Sequence, residues 1–150
     1  ESDPILGTKK GDINLEETVA KEILRLYNLG LIIGPVWYDP YQLHQVAVNL
    51  REMGVPCVEF SQQGLRILSD TFLGKQIKNG LVDLYNHEVL IQHLKNSKAK
   101  ETENEQVRIV KGTFTKGNKV DGAVALGMSM YKASMFRPGD DDDERSHSSN

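Results

Sequence analysis

VWYDPYQLHQVAVNLREMGVPCVEF, residues 36–60, decides the class of fold. Its opening apolar run ends at Asp39-Pro40, and Leu43, Val46, Ala47 and Leu50 then recur at i, i+3, i+4 and i+7 until Gly54. A second apolar run, Val55 to Phe60, closes the stretch. Spacing of three and four residues puts apolar side chains on one helix face, whereas short apolar runs bounded by Pro or Gly read as strands. Pro35 cannot donate to a ladder, so the first strand is expected after it, from Val36 to Asp39. A strand, a helix and a strand joined by short connections favour parallel pairing with a helix laid over it. That is an α/β arrangement.

Upstream, Asn14 with Glu17 three places on forms a capping box, and Leu15, Val19, Ile23 and Tyr27 mark one face of a helix running to Gly30. Residues 1–13 carry no periodicity and read as a linker or loop. Downstream, Leu65, Leu68, Phe72 and Ile77 predict a third helix ending at Gly80, weakened by Gly74 by about 1 kcal/mol relative to alanine. A short apolar piece, Leu81 to Leu84, precedes a helix over His87 to Asn96. Lys98 to Gln106 reads as a charged loop, Val107 to Lys111 as a strand, and Asp121 to Ala133 as a last helix whose small side, Ala123 and Gly127, would let it lie close to a sheet. Residues 14–135 are thus expected to form the folded domain. The acidic, serine-rich residues 136–150 cannot bury enough apolar surface to order themselves.

Composition excludes several classes. The lone cysteine, Cys57, has no partner for a disulfide framework or a cysteine zinc site. No apolar stretch approaches the roughly 20 residues that span a bilayer, and Glu1-Ser2-Asp3-Pro4 does not begin a signal peptide. The net charge of -3 misleads, because Asp140 to Asn150 holds five of the 21 acids and one of the 18 bases; the remainder has 16 acids and 17 bases. Near-neutral charge neither favours nor disfavours a nucleic-acid partner.

Asp39 stands at the carboxyl end of a strand, where open α/β sheets bind their ligands. Asp121 stands just ahead of a helix. Either could simply cap a helix, since Asp is a favoured N-cap and Pro40 a favoured first helical residue. Alternatively the two carboxylates could serve a divalent cation such as Mg²⁺ or Mn²⁺, which selects oxygen ligands. Lys111, Lys116 and Lys119, with Gly112 and Gly117, frame the loop before Asp121 and suit phosphate contacts, although a solvated basic loop looks the same. His87 and His93 are six apart and make no zinc-helix pair; helix-start or surface roles are expected for them. His44 and His147 have no visible partner.

Order and spacing now carry a resemblance. Trp37-Tyr38-Asp39-Pro40-Tyr41-Gln42, Gly54-Val55-Pro56-Cys57-Val58-Glu59-Phe60 and Gln63-Gly64 succeed one another as in terminase large-subunit nuclease domains, where a strand ends in Tyr-Asp-Pro, a helix follows, and a "g.pvvef.Qg" segment comes next. Asn79-Gly80, His87 and Asn96 fall in that family's usual places, and Lys119-Val120-Asp121-Gly122-Ala123-Val124-Ala125-Leu126 is similar to its "kiDgvvAl" signature. The likeness runs from Asn14 to Ala133.

The resemblance implies a ribonuclease-H-like fold, a mixed sheet with helices on both faces, truncated at its N-terminus. It implies three catalytic acids, of which Asp39 and Asp121 match the second and third. The first sits on an earlier strand that this chain starts too late to contain, leaving an exposed edge on the strand before Asp39; neither Asp3 nor Asp12 takes its place. The chemistry implied is cleavage of concatemeric double-stranded DNA with two Mg²⁺ or Mn²⁺ ions about 4 Å apart, and the isolated chain is expected to cut poorly or not at all. Implied partners are DNA, an ATPase domain in the same full-length chain, a portal protein and a small terminase subunit. The setting would be the host cytoplasm, on the procapsid of a bacteriophage or other virus, with no membrane. No Gly-x-x-x-x-Gly-Lys-Ser/Thr loop occurs in these residues. Two other readings stay open: a non-catalytic α/β protein-binding module in which both aspartates are only caps, and a small-molecule-binding doubly wound domain with Asp39 at the switch point.

Overall fold

The computed structural model describes residues 14–31, 34–112 and 118–135, apart from the side chains of Gln42 and Glu103. The proposed linker 1–13, the acidic tail 136–150 and Lys116 lie outside the described residues. The chain divides into two compact units, Glu1–Ser61 and Gln62–Asn150.

In the first unit, Asn14 Oδ1 accepts from the backbone N–H groups of Glu16 at 3.1 Å and Glu17 at 3.2 Å, so the expected helix start is there. The helix opens with a π-turn, Glu16–Ala20, and continues as α1, Lys21–Asn28. A π-turn holds one residue more than an α-turn. The inward face therefore steps from Leu15 to Ala20, then to Ile23, Leu24 and Tyr27, instead of passing through Val19.

β1, Val36–Tyr38, leads into α2, Pro40–Glu52, and then β2, Cys57–Glu59. The two strands pair in parallel, with Val36 opposite Cys57 and Tyr38 opposite Glu59. The helix face read from the sequence is the buried one: Val46, Ala47 and Leu50 join Ala20, Tyr38, Val55 and Cys57 in the core, with Leu43 packed against them. Gly54, at φ +85°, ends α2 in the left-handed region that favours glycine, which frees the chain to enter β2.

The second unit comprises α3, Gly64–Lys78, α4, Glu88–Lys95, β3, Ser97–Glu101, β4, Val107–Lys111, and α5, Asp121–Ala133. β3 corrects the expected charged loop: Ser97 to Glu101 pairs antiparallel with Val107 to Lys111. The strand was hidden because Lys98, Ala99, Lys100 and Glu101 are all exposed, which leaves no apolar face to alternate. Its turn also lacks the usual glycine, since Asn104 and Glu105 themselves take the left-handed conformation at φ 60° and 57°.

α3 is the expected third helix, but its buried side is not centred on the apolar series that marked it. Leu68 and Ile77 remain 41% and 50% exposed, while Ser69, Asp70 and Leu73 are buried. A polar pair turns the helix: Arg66 Nε donates to both Asp70 carboxylate oxygens, at 3.0 and 2.9 Å, and Ile109 N–H donates to Asp70 Oδ2 at 2.9 Å. Beside it, Thr71 Oγ1 accepts from Val107 N–H at 3.0 Å and donates to the Val107 carbonyl at 3.3 Å. α3 thus satisfies polar groups of β4 that no strand takes up. The small side of α5 packs on this helix and not on a sheet as expected; a Cβ added at Gly127 would lie 3.4 Å from the Ser69 carbonyl oxygen.

The α/β class therefore stands. Among the described residues the strands form two two-stranded sheets, one parallel and one antiparallel.

Candidate functional site

Asp39 follows β1 directly and is the N-cap of α2, with Pro40 in the first turn. Its Oδ1 accepts from Tyr41 N–H at 3.0 Å. The capping role is thus present, and it occupies one oxygen of a carboxylate that has lone pairs to spare. Tyr41 itself is 89% exposed. At the same carboxyl end of the parallel pair, Glu59 accepts from the Tyr38 hydroxyl at 3.4 Å and lies 3.5 Å from His44 Nδ1. His44, which showed no partner in the sequence, thus has one; both side chains are more than half exposed, so the pair contributes little stability.

Asp121 is the first residue of α5 and is exposed. It is not the cap. Val120 holds the N-cap position and has no side-chain oxygen to offer. The free amide is met from another helix: His93 Nδ1, in the last turn of α4, accepts from Gly122 N–H at 2.9 Å. Asn96, which ends α4, donates from Nδ2 to the Lys119 carbonyl at 3.1 Å, and its own carbonyl accepts from Gly112 N–H at 2.7 Å. His87 caps the start of α4 by accepting from Leu90 N–H at 3.3 Å, the helix-start role expected of it.

Lys111 and Lys119 are exposed on either side of the segment that leads to Asp121. Among the described residues no group of three or more His, Cys, Asp or Glu side chains is placed to hold a metal ion. Asp39 belongs to the first unit and Asp121 to the second. The donor chemistry still suits a hard cation, since each residue offers carboxylate oxygen.

Sequence reasoning missed the buried Asp70, the link from Glu59 to His44, and the hold of His93 and Asn96 on the chain around Asp121. For the last a signal existed, because residues three apart on a helix share a face. For Asp70 none did, since an i, i+4 Arg–Asp pair is usually a surface feature.

Carboxylates at the starts of two helices of an α/β chain, Asp39 half-buried and Asp121 exposed with lysines near it, are of the kind that phosphodiester-cleaving domains use. The family described as terminase large subunit, endonuclease domain, matches residues 10–136. That is well over half of the chain, and the chain belongs to this family of packaging nucleases. No curated protein and no solved structure matches it.

Proposed function

We propose that the chain is the DNA-cutting domain of a viral genome-packaging motor, hydrolysing phosphodiester bonds of concatemeric duplex DNA with Mg²⁺ or Mn²⁺. The observation that carries the proposal is the family match across residues 10–136. The assignment of Asp39 and Asp121 to the family's acidic positions rests on the resemblance of Trp37 to Gln42 and of Lys119 to Leu126. Asp39 and Asp121 supply carboxylate oxygens and the negative charge that holds a divalent cation beside phosphate. Lys111, Lys116 and Lys119 contact backbone phosphates without reading sequence. When bound, the metal ions supply an activated water and stabilise the leaving oxygen. A ribonuclease-H-like fold is part of the same proposal. So are an ATPase domain on the same polypeptide and contacts with a portal protein and a small terminase subunit.

Plasmid nicking by the complete subunit with Mg²⁺ or Mn²⁺ tests the reading. The expected result is cleavage that chelation stops and that Asp39→Ala and Asp121→Ala each abolish, with circular dichroism unchanged. Full cleavage by a folded Asp121→Ala variant would remove that residue from the proposed metal site.

A further inference from the structure

The last turn of α4 grips the chain on both sides of the connection between β4 and α5. Upstream, the Asn96 carbonyl takes the Gly112 amide at 2.7 Å; downstream, Asn96 Nδ2 holds the Lys119 carbonyl at 3.1 Å. Gln92 Nε2 fixes the Asn96 amide by donating to Oδ1 at 2.9 Å, so the orientation of that side chain is set. One turn earlier, His93 Nδ1 accepts the Gly122 amide at 2.9 Å, the amide next after Asp121. An amide can only donate, so Nδ1 carries no proton in this arrangement.

The approach is close enough to dictate residue type. A Cβ at Gly122 would lie 2.9 Å from His93 Nδ1 and 3.3 Å from Leu90 Cδ1, and one at Gly112 would lie 3.1 Å from the Asn96 carbonyl oxygen. α5 brings no side-chain cap of its own. Its first turn therefore starts where His93 and Asn96 set it. Asp121 is in that turn, exposed, and no side chain among the described residues steadies its carboxylate.

We propose that His93 and Asn96 are positioning residues for the Asp121 carboxylate: they fix the first turn of α5 so that the acid is presented to metal in one direction. This rests on the reading of Asp121 as a metal ligand. Side chains that orient a ligand in this way change metal affinity or activity by about 10- to 100-fold when removed.

The test measures Mn²⁺ binding to the complete subunit without nucleotide, from the electron paramagnetic signal of the free ion, alongside kcat and KM for plasmid nicking. His93→Phe keeps a ring but no acceptor, Gly122→Ala pushes on the same contact from the other side, and His93→Asn restores an acceptor oxygen. Expected is a rise of about tenfold or more in half-saturating Mn²⁺ for the first two, a lower kcat with KM for DNA unchanged, and recovery in His93→Asn. Asp121→Ala serves as the reference. Unchanged Mn²⁺ binding in folded His93→Phe and Gly122→Ala, with binding lost in Asp121→Ala, overturns this proposal alone. Unchanged binding in Asp121→Ala overturns the ligand reading beneath it. Should His93→Phe fail to fold, Gly122→Ala and His93→Asn decide the matter between them.

Discussion

At the scale of the residue, one atom often has two uses, and substitutions must separate them. Asp39 caps α2 through Oδ1 and is proposed to hold metal as well. Asn is as good a cap as Asp, whereas Ala loses about 0.5–2 kcal/mol. Asp39→Asn should therefore unfold in denaturant almost as the wild type does yet fail to nick DNA, and Asp39→Ala should lose both stability and cleavage; a cleaving Asp39→Asn protein would leave the residue as a cap only. The lysines differ in kind. Replacing Lys111 or Lys119 by Ala should weaken DNA binding and lower the salt slope by about 1 for each phosphate no longer neutralised, with the bond-breaking rate at saturating DNA preserved. Cys57 gives a third test. Its thiol is 6% exposed and burial pushes its pKa above the ordinary 9.0, with nearby Arg51 acting weakly the other way. The folded thiol keeps its proton where the unfolded one ionises. This contribution to stability is present below pH 9.0 and is lost as pH rises beyond it, toward the raised folded value. Alkylation at neutral pH should accordingly be slow until the chain unfolds.

At the scale of the element, what could be read from sequence depended on whether packing was apolar. The α2 face was legible because Val46, Ala47 and Leu50 are buried as hydrophobic periodicity demands. The start of α1 was legible from Asn14, but its π-turn was not, since nothing in Glu16 to Ala20 marks an added residue. The helix α3 was legible but its buried face was not, because a fully buried aspartate organises it, and β3 was missed because a charged strand has no hydrophobic period. These misreadings have an energetic counterpart. Asp70 is fully buried and the Arg66 side chain 11% exposed, so Asp70→Ala leaves the guanidinium without its counter-charge, holding only Gln62 Oε1 at 3.2 Å, and the Ile109 amide without its acceptor. A loss of about 3–5 kcal/mol is expected in denaturant unfolding. Asp70→Asn keeps an acceptor for the Ile109 amide and should lose less. Equal losses in the two variants would show that the charge, and not the bond to β4, fixes the helix.

At the scale of the whole molecule, the motifs were more legible than the architecture, because a motif is a local string whereas a site is assembled by folding. The Tyr-Asp-Pro and Val-Asp-Gly pieces carried the resemblance to the family, yet of the hold of α4 on the start of α5 only the shared helix face of His93 and Asn96 was readable, and what that face holds was seen only in the folded chain. A metal that needs both Asp39 and Asp121, as the resemblance implies, has a thermodynamic signature as well as a chemical one. A ligand bound only by the folded state stabilises it by RT ln(1 + [L]/Kd), about 2.7 kcal/mol at a concentration a hundred times Kd. Mn²⁺ should therefore raise the unfolding temperature of the complete subunit, measured without nucleotide, and Asp39→Ala and Asp121→Ala should each remove the rise. Acids acting together are non-additive, so the double variant should lose no more of the metal effect than either single one. If each single variant retained half of the rise and the double variant none, the two carboxylates would bind separate ions independently. The shared-metal reading would then be wrong even though both residues held metal.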